Sequence, residues 1–277
     1  MIIIRMWGGL GNQLFQYSFG QYIEKVGNET VFYDISSFGN SDQLRKLEIS
    51  YLIPELPIKN VRFTQYIGIK NRLFRTLFQC TNTYLSEKQF SLESLANAKG
   101  VIFLQGYWQD KIYAEFFPKR KVLDIWRTPN ILMQQEKIIR SANIPISLHV
   151  RRGDYFSPQN INIYGVCTEK YYKKAIDYIE FTIKGDKQYF VFSDDISWVR
   201  ENIELPSSSI FIPNYEEISQ FSYIYLMSLC KVNIISNSTF SWWGSYLNQH
   251  LDKVVISPSV WTFNSKKCLA LDSWLKI

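Results

Sequence analysis

Histidine and cysteine are scarce in this sequence. There are two histidines, His149 and His250, and four cysteines, Cys80, Cys167, Cys230 and Cys268. The cysteines are widely spaced with no Cys-x-x-Cys pair, which excludes the ligand spacing of a zinc cluster and leaves reduced thiols as the expectation. A long apolar run is also missing. Met1 to Met6 is brief, contains Arg5 and runs into glycines, too short for a secretory leader or for a spanning helix of about 20 residues. The expected location is cytoplasmic, with peripheral contact to the inner face of the cell membrane left open. Internal repeats, low-complexity tracts and heptad runs are absent too, so the chain is no solenoid or coiled coil.

The formal charge is +6, yet no basic stripe accompanies it. Lysine and arginine are scattered, with short clusters at Lys119-Arg120-Lys121 and Lys266-Lys267. A nucleic-acid module concentrates its charge, so no nucleic acid is expected as a partner. A diffuse positive field still favours anions such as a nucleotide sugar or a membrane surface. Hydrophobic residues are plentiful, at 46%, and aromatics reach 16%. That supplies sizeable cores with rings left over for sugar-facing surfaces, and a disordered chain is excluded. With 277 residues, the chain sits near the size at which one core divides into two domains.

Element by element, Ile2 to Met6 reads as a buried strand, Trp7 to Gln13 as a glycine loop, Leu14 to Val26 as a helix and Thr30 to Asp34 as a second strand. A strand, a loop and a crossover helix are the start of an α/β unit. Residues 36 to 98 are harder to read, with a helix expected over Gln65 to Phe78. Val101 to Leu104 forms another strand, and Tyr107-Trp108-Gln109-Asp110 follows where strand ends present ligand-facing groups. A helix near Pro129 to Ala142 precedes Asn143-Ile144-Pro145, read as a linker, which gives domains 1–143 and 144–277. The second half alternates strands (Ile146 to Val150, Tyr189 to Phe192, Val232 to Ile235, Val254 to Ser257) with helices (Lys170 to Ile183, Glu216 to Cys230, Phe240 to Asn248), the doubly wound pattern.

Three segments of that half carry chemistry. His149-Val150-Arg151-Arg152-Gly153-Asp154-Tyr155 leaves a strand and delivers two guanidiniums, an imidazole and a carboxylate into one loop. Guanidinium is a rigid fork of donors matched to phosphate oxygens; a structural Arg–Asp ion pair would give the same residues. Phe192-Ser193-Asp194-Asp195 ends a strand in adjacent carboxylates. These could accept hydrogen bonds from a base or ribose, or hold a divalent cation, and the metal-free version is preferred because the spacing is not Asp-x-Asp. Asp195 also suits a helix N-cap. Ser236-Asn237-Ser238-Thr239-Phe240 is a small polar turn before a helix, where backbone N–H groups could bind phosphate or Ser238 and Thr239 could simply cap. Trp242 and Trp243 read as packing.

Together with Gly9-Leu10-Gly11-Asn12-Gln13-Leu14-Phe15-Gln16-Tyr17, the segments His149 to Tyr155 and Ser236 to Gly244 resemble the α-1,2-fucosyltransferases of glycosyltransferase family 11. The resemblance spans residues 9 to about 247. It implies a GT-B architecture, an α/β fold of two Rossmann-like domains facing across a cleft, with GDP-fucose on the C-terminal domain, no metal cofactor, and a galactose-containing glycan as acceptor. It also implies inverting transfer to O-2 of a galactoside. By position, Arg151 would hold the β-phosphate, His149 would line the nucleotide pocket, and Asp194 would read guanine or ribose. Ser238, Thr239 and Phe240 would form the phosphate turn, Gly11 of the glycine loop is a further donor-binding candidate, and Arg152 would brace this set or reach substrate. Asp154 is the candidate general base, and Asn12 an alternative group for orienting the acceptor hydroxyl. Three other readings stay open here: a fucosyltransferase of another linkage, α-1,3 or α-1,6; a silent sugar-nucleotide-binding protein; and a nicotinamide-dependent oxidoreductase using Gly9-x-Gly11 and Asp34. The last lacks the third glycine of its fingerprint, where Leu14 stands.

Overall fold

The computed structural model of the chain describes residues 1–39, 45–61, 82–263 and 268–277. The helix expected over Gln65 to Phe78 lies outside them. Contacts divide the chain into two compact units, Met1–Val122 and Leu123–Ile277.

The first unit holds β1 (Ile2–Arg5), α1 (Leu10–Gly27), β2 (Val31–Asp34), β3 (Thr83–Ser86), α2 (Leu92–Ala96), β4 (Ile102–Gln105), α3 (Lys111–Ala114) and the start of α4 (Lys119–Ile125). Its four strands are parallel in the order β2-β1-β4-β3. Ile2, Ile3 and Ile4 are all buried, as expected of a strand covered on both faces.

Helix α1 begins at Leu10, four residues sooner than the glycines suggest. Gly9 takes an extended conformation and its carbonyl accepts the N–H groups of Asn12 and Gln13. Gly8 sits at φ +83, where a Cβ would also lie 2.9 Å from Asn12 Nδ2. The turn is therefore compressed into Gly8 and Gly9, and Gly11 and Asn12 occupy the first helical turn. Two buried glutamines fix this loop. Gln13 Nε2 donates to the carbonyls of Gly8 (2.9 Å) and Lys46 (2.8 Å), while its Oε1 accepts from the N–H groups of Glu48 (2.9 Å) and Ile49 (3.1 Å). Gln16 accepts from Trp7 N–H (3.2 Å) and donates to Gly106 O (3.3 Å).

The second unit runs α5 (Met133–Ser141), β5 (Ile144–Val150), α6 (Ile161–Tyr164), α7 (Glu169–Thr182), β6 (Lys187–Ser193), α8 (Ile196–Asn202), β7 (Ile210–Phe211), α9 (Phe221–Ser228), β8 (Val232–Ile234), α10 (Thr239–Leu247), β9 (Val254–Ser257) and β10 (Leu275–Lys276). All six strands are parallel, ordered β10-β9-β8-β5-β6-β7. Every residue of β5 is buried, and Ile146, Leu148 and Val150 anchor the core with Ile234 and Ile256. Asn143-Ile144-Pro145 is not a linker, because β5 already begins at Ile144. The units divide between Val122 and Leu123 rather than at 143/144. Helix α5 goes with the second unit, where Arg140 donates to Tyr225 Oη of α9 (2.9 Å). Helix α9 is shorter than the expected Glu216 to Cys230.

A buried amide pair ties the middle of this unit. Asn233 Nδ2 donates to Ser147 Oγ and Met227 O, both at 2.7 Å, and Asn248 Nδ2 donates to Asn233 Oδ1 (2.8 Å) and Cys230 O (2.7 Å). Among the described residues no helix is long and apolar enough to cross a membrane.

The second unit has a topological switch point. The chain leaves β5 towards β6 on one side and β8 towards β9 on the other. The loops after β5 and β8 therefore diverge, which opens a crevice at the carboxyl ends of those strands.

Gln13→Ala should lower the stability of the first unit by about 3 kcal/mol or more, since each buried group left unpaired costs about 1–3 kcal/mol. Urea unfolding followed by far-UV circular dichroism checks this, with the loss expected in the transition of the N-terminal unit alone.

Candidate functional site

The crevice of the C-terminal unit gathers most of the residues singled out in the sequence. Arg151 follows β5 directly and is held from two sides. One Nη lies 2.9 Å from Asp194 Oδ2, at the end of β6, and the other lies 2.5 Å from Asp154 Oδ1 in its own loop. Burial works against its charge, but Asp194 and Asp154 more than offset that and raise its pKa above the usual arginine value. The guanidinium keeps 23% of its side-chain surface open.

Asp194 uses both oxygens within the protein, since Oδ1 accepts the backbone N–H of Arg152 at 2.8 Å. The contact requires Gly153, whose Cβ would fall 2.6 Å from Asp194 Oδ2. Asp194 is thus a clamp on the β5 loop, with the expected contact to base or ribose left to whatever of its surface stays open. Asp195 diverges from it and caps α8, accepting Trp198 N–H at 3.0 Å. Among the described residues no group of three or more His, Cys, Asp or Glu side chains is placed to hold a metal ion.

Arg152 points its guanidinium between two rings, 3.6 Å from the centroid of Phe156 and 4.0 Å from that of Trp198. Its Nε is buried without a hydrogen-bond partner. Cation–π contact holds this side chain.

His149 is 5% exposed. Its Nδ1 shares a 2.9 Å hydrogen bond with Ser236 Oγ, which joins β5 to the end of β8 across the switch point, and its ring packs on Phe240 at 5.4 Å. Burial first, and the positive charge of Arg151 second, lower its pKa from 6.5 to about 3. The imidazole is neutral throughout the physiological range. It can line a nucleotide pocket or share a hydrogen bond but cannot supply charge.

Ser238 is the N-cap of α10, with Oγ accepting Phe240 N–H at 3.3 Å. Thr239 and Phe240 form the first turn of that helix and are half-buried. The positive end of the helix dipole therefore opens beside His149. Ser238 is the helix cap that one of the two sequence readings expected. Asn237 fixes the turn by donating to the carbonyls of Tyr164 and Trp261, each at 2.9 Å. Trp242 and Trp243 are fully buried and pack at the core as expected.

Sequence reasoning placed Ser236 and Tyr155 within its motifs without giving either a role, and it missed Trp198. Tyr155 stacks on Tyr164 at 4.9 Å and carries Arg151 over its ring at 5.5 Å. Burial, the largest influence, pushes its pKa up to about 12. Its position two residues beyond the Arg-Gly pair was the available signal; the pairing with Tyr164 was not. Gly11 and Asn12 belong to the first unit, where Asn12 Oδ1 accepts from Gln109 Nε2 at 2.9 Å. Asp34 is fully buried, with its carboxylate accepting from Ser36 and from Val61 N–H. It serves its own loop, which removes the acid that a dinucleotide-binding reading needs.

The sequence profile described as Glycosyl transferase family 11 matches residues 1–277. The chain is similar to an O-antigen biosynthesis glycosyltransferase, WbnK, of Escherichia coli, with 33% identity covering 98% of each chain. It is also similar to an α-1,2-colitosyltransferase of Escherichia coli, with 32% identity covering 100% of this chain and 99% of the other. Among solved structures, the fucosyltransferase NodZ from Bradyrhizobium superposes with a TM-score of 0.51 at 14% identity, covering 89% of this chain and 91% of that one. This likeness concerns the fold, which is GT-B-type α/β with parallel sheets, as the sequence motifs implied.

The His149 pKa makes a signed prediction. Below pH 6.5 the unfolded chain binds a proton at His149 that the folded chain refuses until about pH 3, so acid favours unfolding across that window. In His149→Gln this contribution disappears. Urea midpoints at pH 7 and pH 5 should differ less in the variant than in the parent, and equal differences would contradict the buried neutral imidazole.

Proposed function

The chain belongs to glycosyltransferase family 11, and on that premise we propose that it transfers L-fucose from GDP-β-L-fucose to O-2 of a β-galactoside, with inversion, in surface-polysaccharide synthesis. The observation that carries this reading is the setting of Arg151, a guanidinium clamped by Asp194 and Asp154 at the carboxyl end of β5, the strand whose His149 meets Ser236 and Phe240 at the turn into α10. GDP leaves as a phosphate, so the barrier is lowered by placing fixed positive charge and N–H dipoles at the leaving oxygens. Arg151 supplies the charge, the N–H groups at the start of α10 supply the dipoles, and neutral His149 lines the pocket without competing for a proton. Motif likeness to the α-1,2-fucosyltransferases and the α-1,2 linkage in the name of a full-length relative support the linkage. The NodZ likeness supports only the fold.

Asp154 has a double place in this scheme. In the structure its carboxylate takes the Nη that a phosphate oxygen would take, and its side chain is 48% exposed, so it is the partner that yields to the donor. Once displaced, it is the carboxylate of this loop that can receive the proton of the acceptor hydroxyl. No metal is needed in the scheme, because Arg151 and α10 carry the phosphate charge.

The α-1,2-colitosyltransferase match, which covers 100% of this chain and 99% of that one, favours a second reading in which the donor sugar is colitose. Both donors test the same site. GDP release should be measured with GDP-fucose and with GDP-colitose over a panel of β-galactosides, with EDTA present, followed by linkage analysis. Acceptor-dependent release with GDP-fucose and an α-1,2 product is the expected result. Release with GDP-colitose alone would replace the donor, and loss of activity in EDTA would refute the metal-free scheme.

Arg151→Lys should reduce kcat/KM by about 100-fold or more, because a point charge replaces a two-pronged donor held between carboxylates. Asp154→Asn should lower kcat while GDP affinity, read by isothermal titration, stays equal or tightens, because the charge that competes with phosphate is gone. Weaker GDP binding in that variant would assign Asp154 to bracing alone.

A further inference from the structure

Asp194 holds the Arg151 guanidinium from the end of β6, on one side of β5, whereas α10 follows β8 on the other side. The guanidinium and the N–H groups of α10 can serve one diphosphate only at a fixed separation, since a misplacement of about 1 Å in a positioned group can cost about 100-fold in rate. Asp194 fixes one end of that separation only.

Two half-buried tyrosines span the rest. The Tyr155 ring carries the Arg151 guanidinium 5.5 Å from its centroid and stacks on Tyr164 at 4.9 Å, with planes 27° apart. The Tyr155 hydroxyl meets the side chain of Ser238, the cap of α10. The Tyr164 carbonyl accepts Asn237 Nδ2 at 2.9 Å, one residue before that cap. The loop after β5 is thus tied to the turn before α10 at two adjacent positions.

The stretch that carries both rings is itself closed. Asn160 Nδ2 and Ser157 Oγ donate to the Asp154 carbonyl at 2.9 and 3.0 Å. Gly165 follows Tyr164, and a Cβ there would lie 2.6 Å from Ile161 O, so the chain turns tightly out of α6 and re-enters the core at Cys167. A ring beneath a guanidinium attracts it through the ring quadrupole and uses none of its N–H donors. It can therefore steer Arg151 and leave the fork free for phosphate, which a further carboxylate could not do.

We propose that Tyr155 and Tyr164 are positioning residues, a stacked bridge that holds the Arg151 guanidinium at the distance from the start of α10 that a diphosphate requires. The inference rests on the reading of this crevice as a nucleotide-diphosphate site, and it assigns the spacing to rings that act through Arg151.

Isothermal titration of the full chain with GDP, and with inorganic pyrophosphate as a probe that lacks the base, tests the bridge. Tyr155→Leu and Tyr164→Leu should each weaken both probes by about tenfold, within the range of cation–π and aromatic contacts. Tyr155→Phe keeps the ring and should stay within about threefold of the parent. In an Arg151→Ala background, Tyr155→Leu should cost less than about twofold, because the group it acts through is gone. Tyr164→Leu, which lies off the Arg151 loop, carries the same test if Tyr155→Leu does not fold. A loss confined to GDP would make the rings a platform for the base, and an equal loss in the Arg151→Ala background would make them a general support; either overturns the proposal. Unchanged affinities in both leucine variants, or a parent that binds neither probe, would overturn it as well. Coupled pyrophosphate losses without turnover of a nucleotide sugar would uphold the bridge and sink only the transfer reading.

Discussion

The carboxylate of Asp194 is the contact on which the crevice of the C-terminal unit depends. It stands at the end of β6 and takes two bonds from the loop after β5, one from the Arg151 guanidinium and one from the Arg152 N–H. Seven paired positions between β5 and β6, from Ile144↔Lys187 to Val150↔Ser193, bring those strand ends level. Gly153 then lets the loop fold close enough for the contact to form. The Asp194 contact orients the Arg151 guanidinium before any ligand arrives, and such preorganisation is where electrostatic catalysis draws its advantage.

The same crevice shows how burial sorts ionisable groups. His149, under the loop, is pushed to the neutral form by desolvation and by Arg151. Arg151, partly open and flanked by acids, keeps its charge. The charge that can meet an anion is therefore concentrated on one side chain and on the start of α10. Arg152, adjacent in sequence, serves the opposite purpose and is held between Phe156 and Trp198. Adjacent residues at a strand end point apart, so two arginines in a row are rarely equivalent.

Much of the fold was legible in order and kind. The crossover from β1 through α1 to β2, and the alternation from β5 to β9, follow from continuous apolar runs broken by polar turns. Helix starts were read late wherever glycine led, as at Gly9, because glycine hides a cap that makes no side-chain bond. Asn143-Ile144-Pro145 looked like a linker because proline and asparagine punctuate loops, whereas Pro145 sits within β5, paired with Gln188 of β6. The short strands β3, β7 and β10 were not legible, since two to four residues carry too little periodicity.

By itself, the sequence determined the chemical inventory: an arginine pair and a carboxylate after one strand, two acids after another, a small polar turn before a helix, and the motif pattern that marks the family. Those features are local, and local chain physics expresses them directly. Tertiary structure alone decided which arginine faces the crevice and which is packed between rings, that Asp194 clamps rather than waits, that Asp195 caps, and that Ser236 meets His149 across 87 positions of sequence. Each of these depends on which strand ends lie side by side in the sheet, and strand order is a property of the folded chain as a whole.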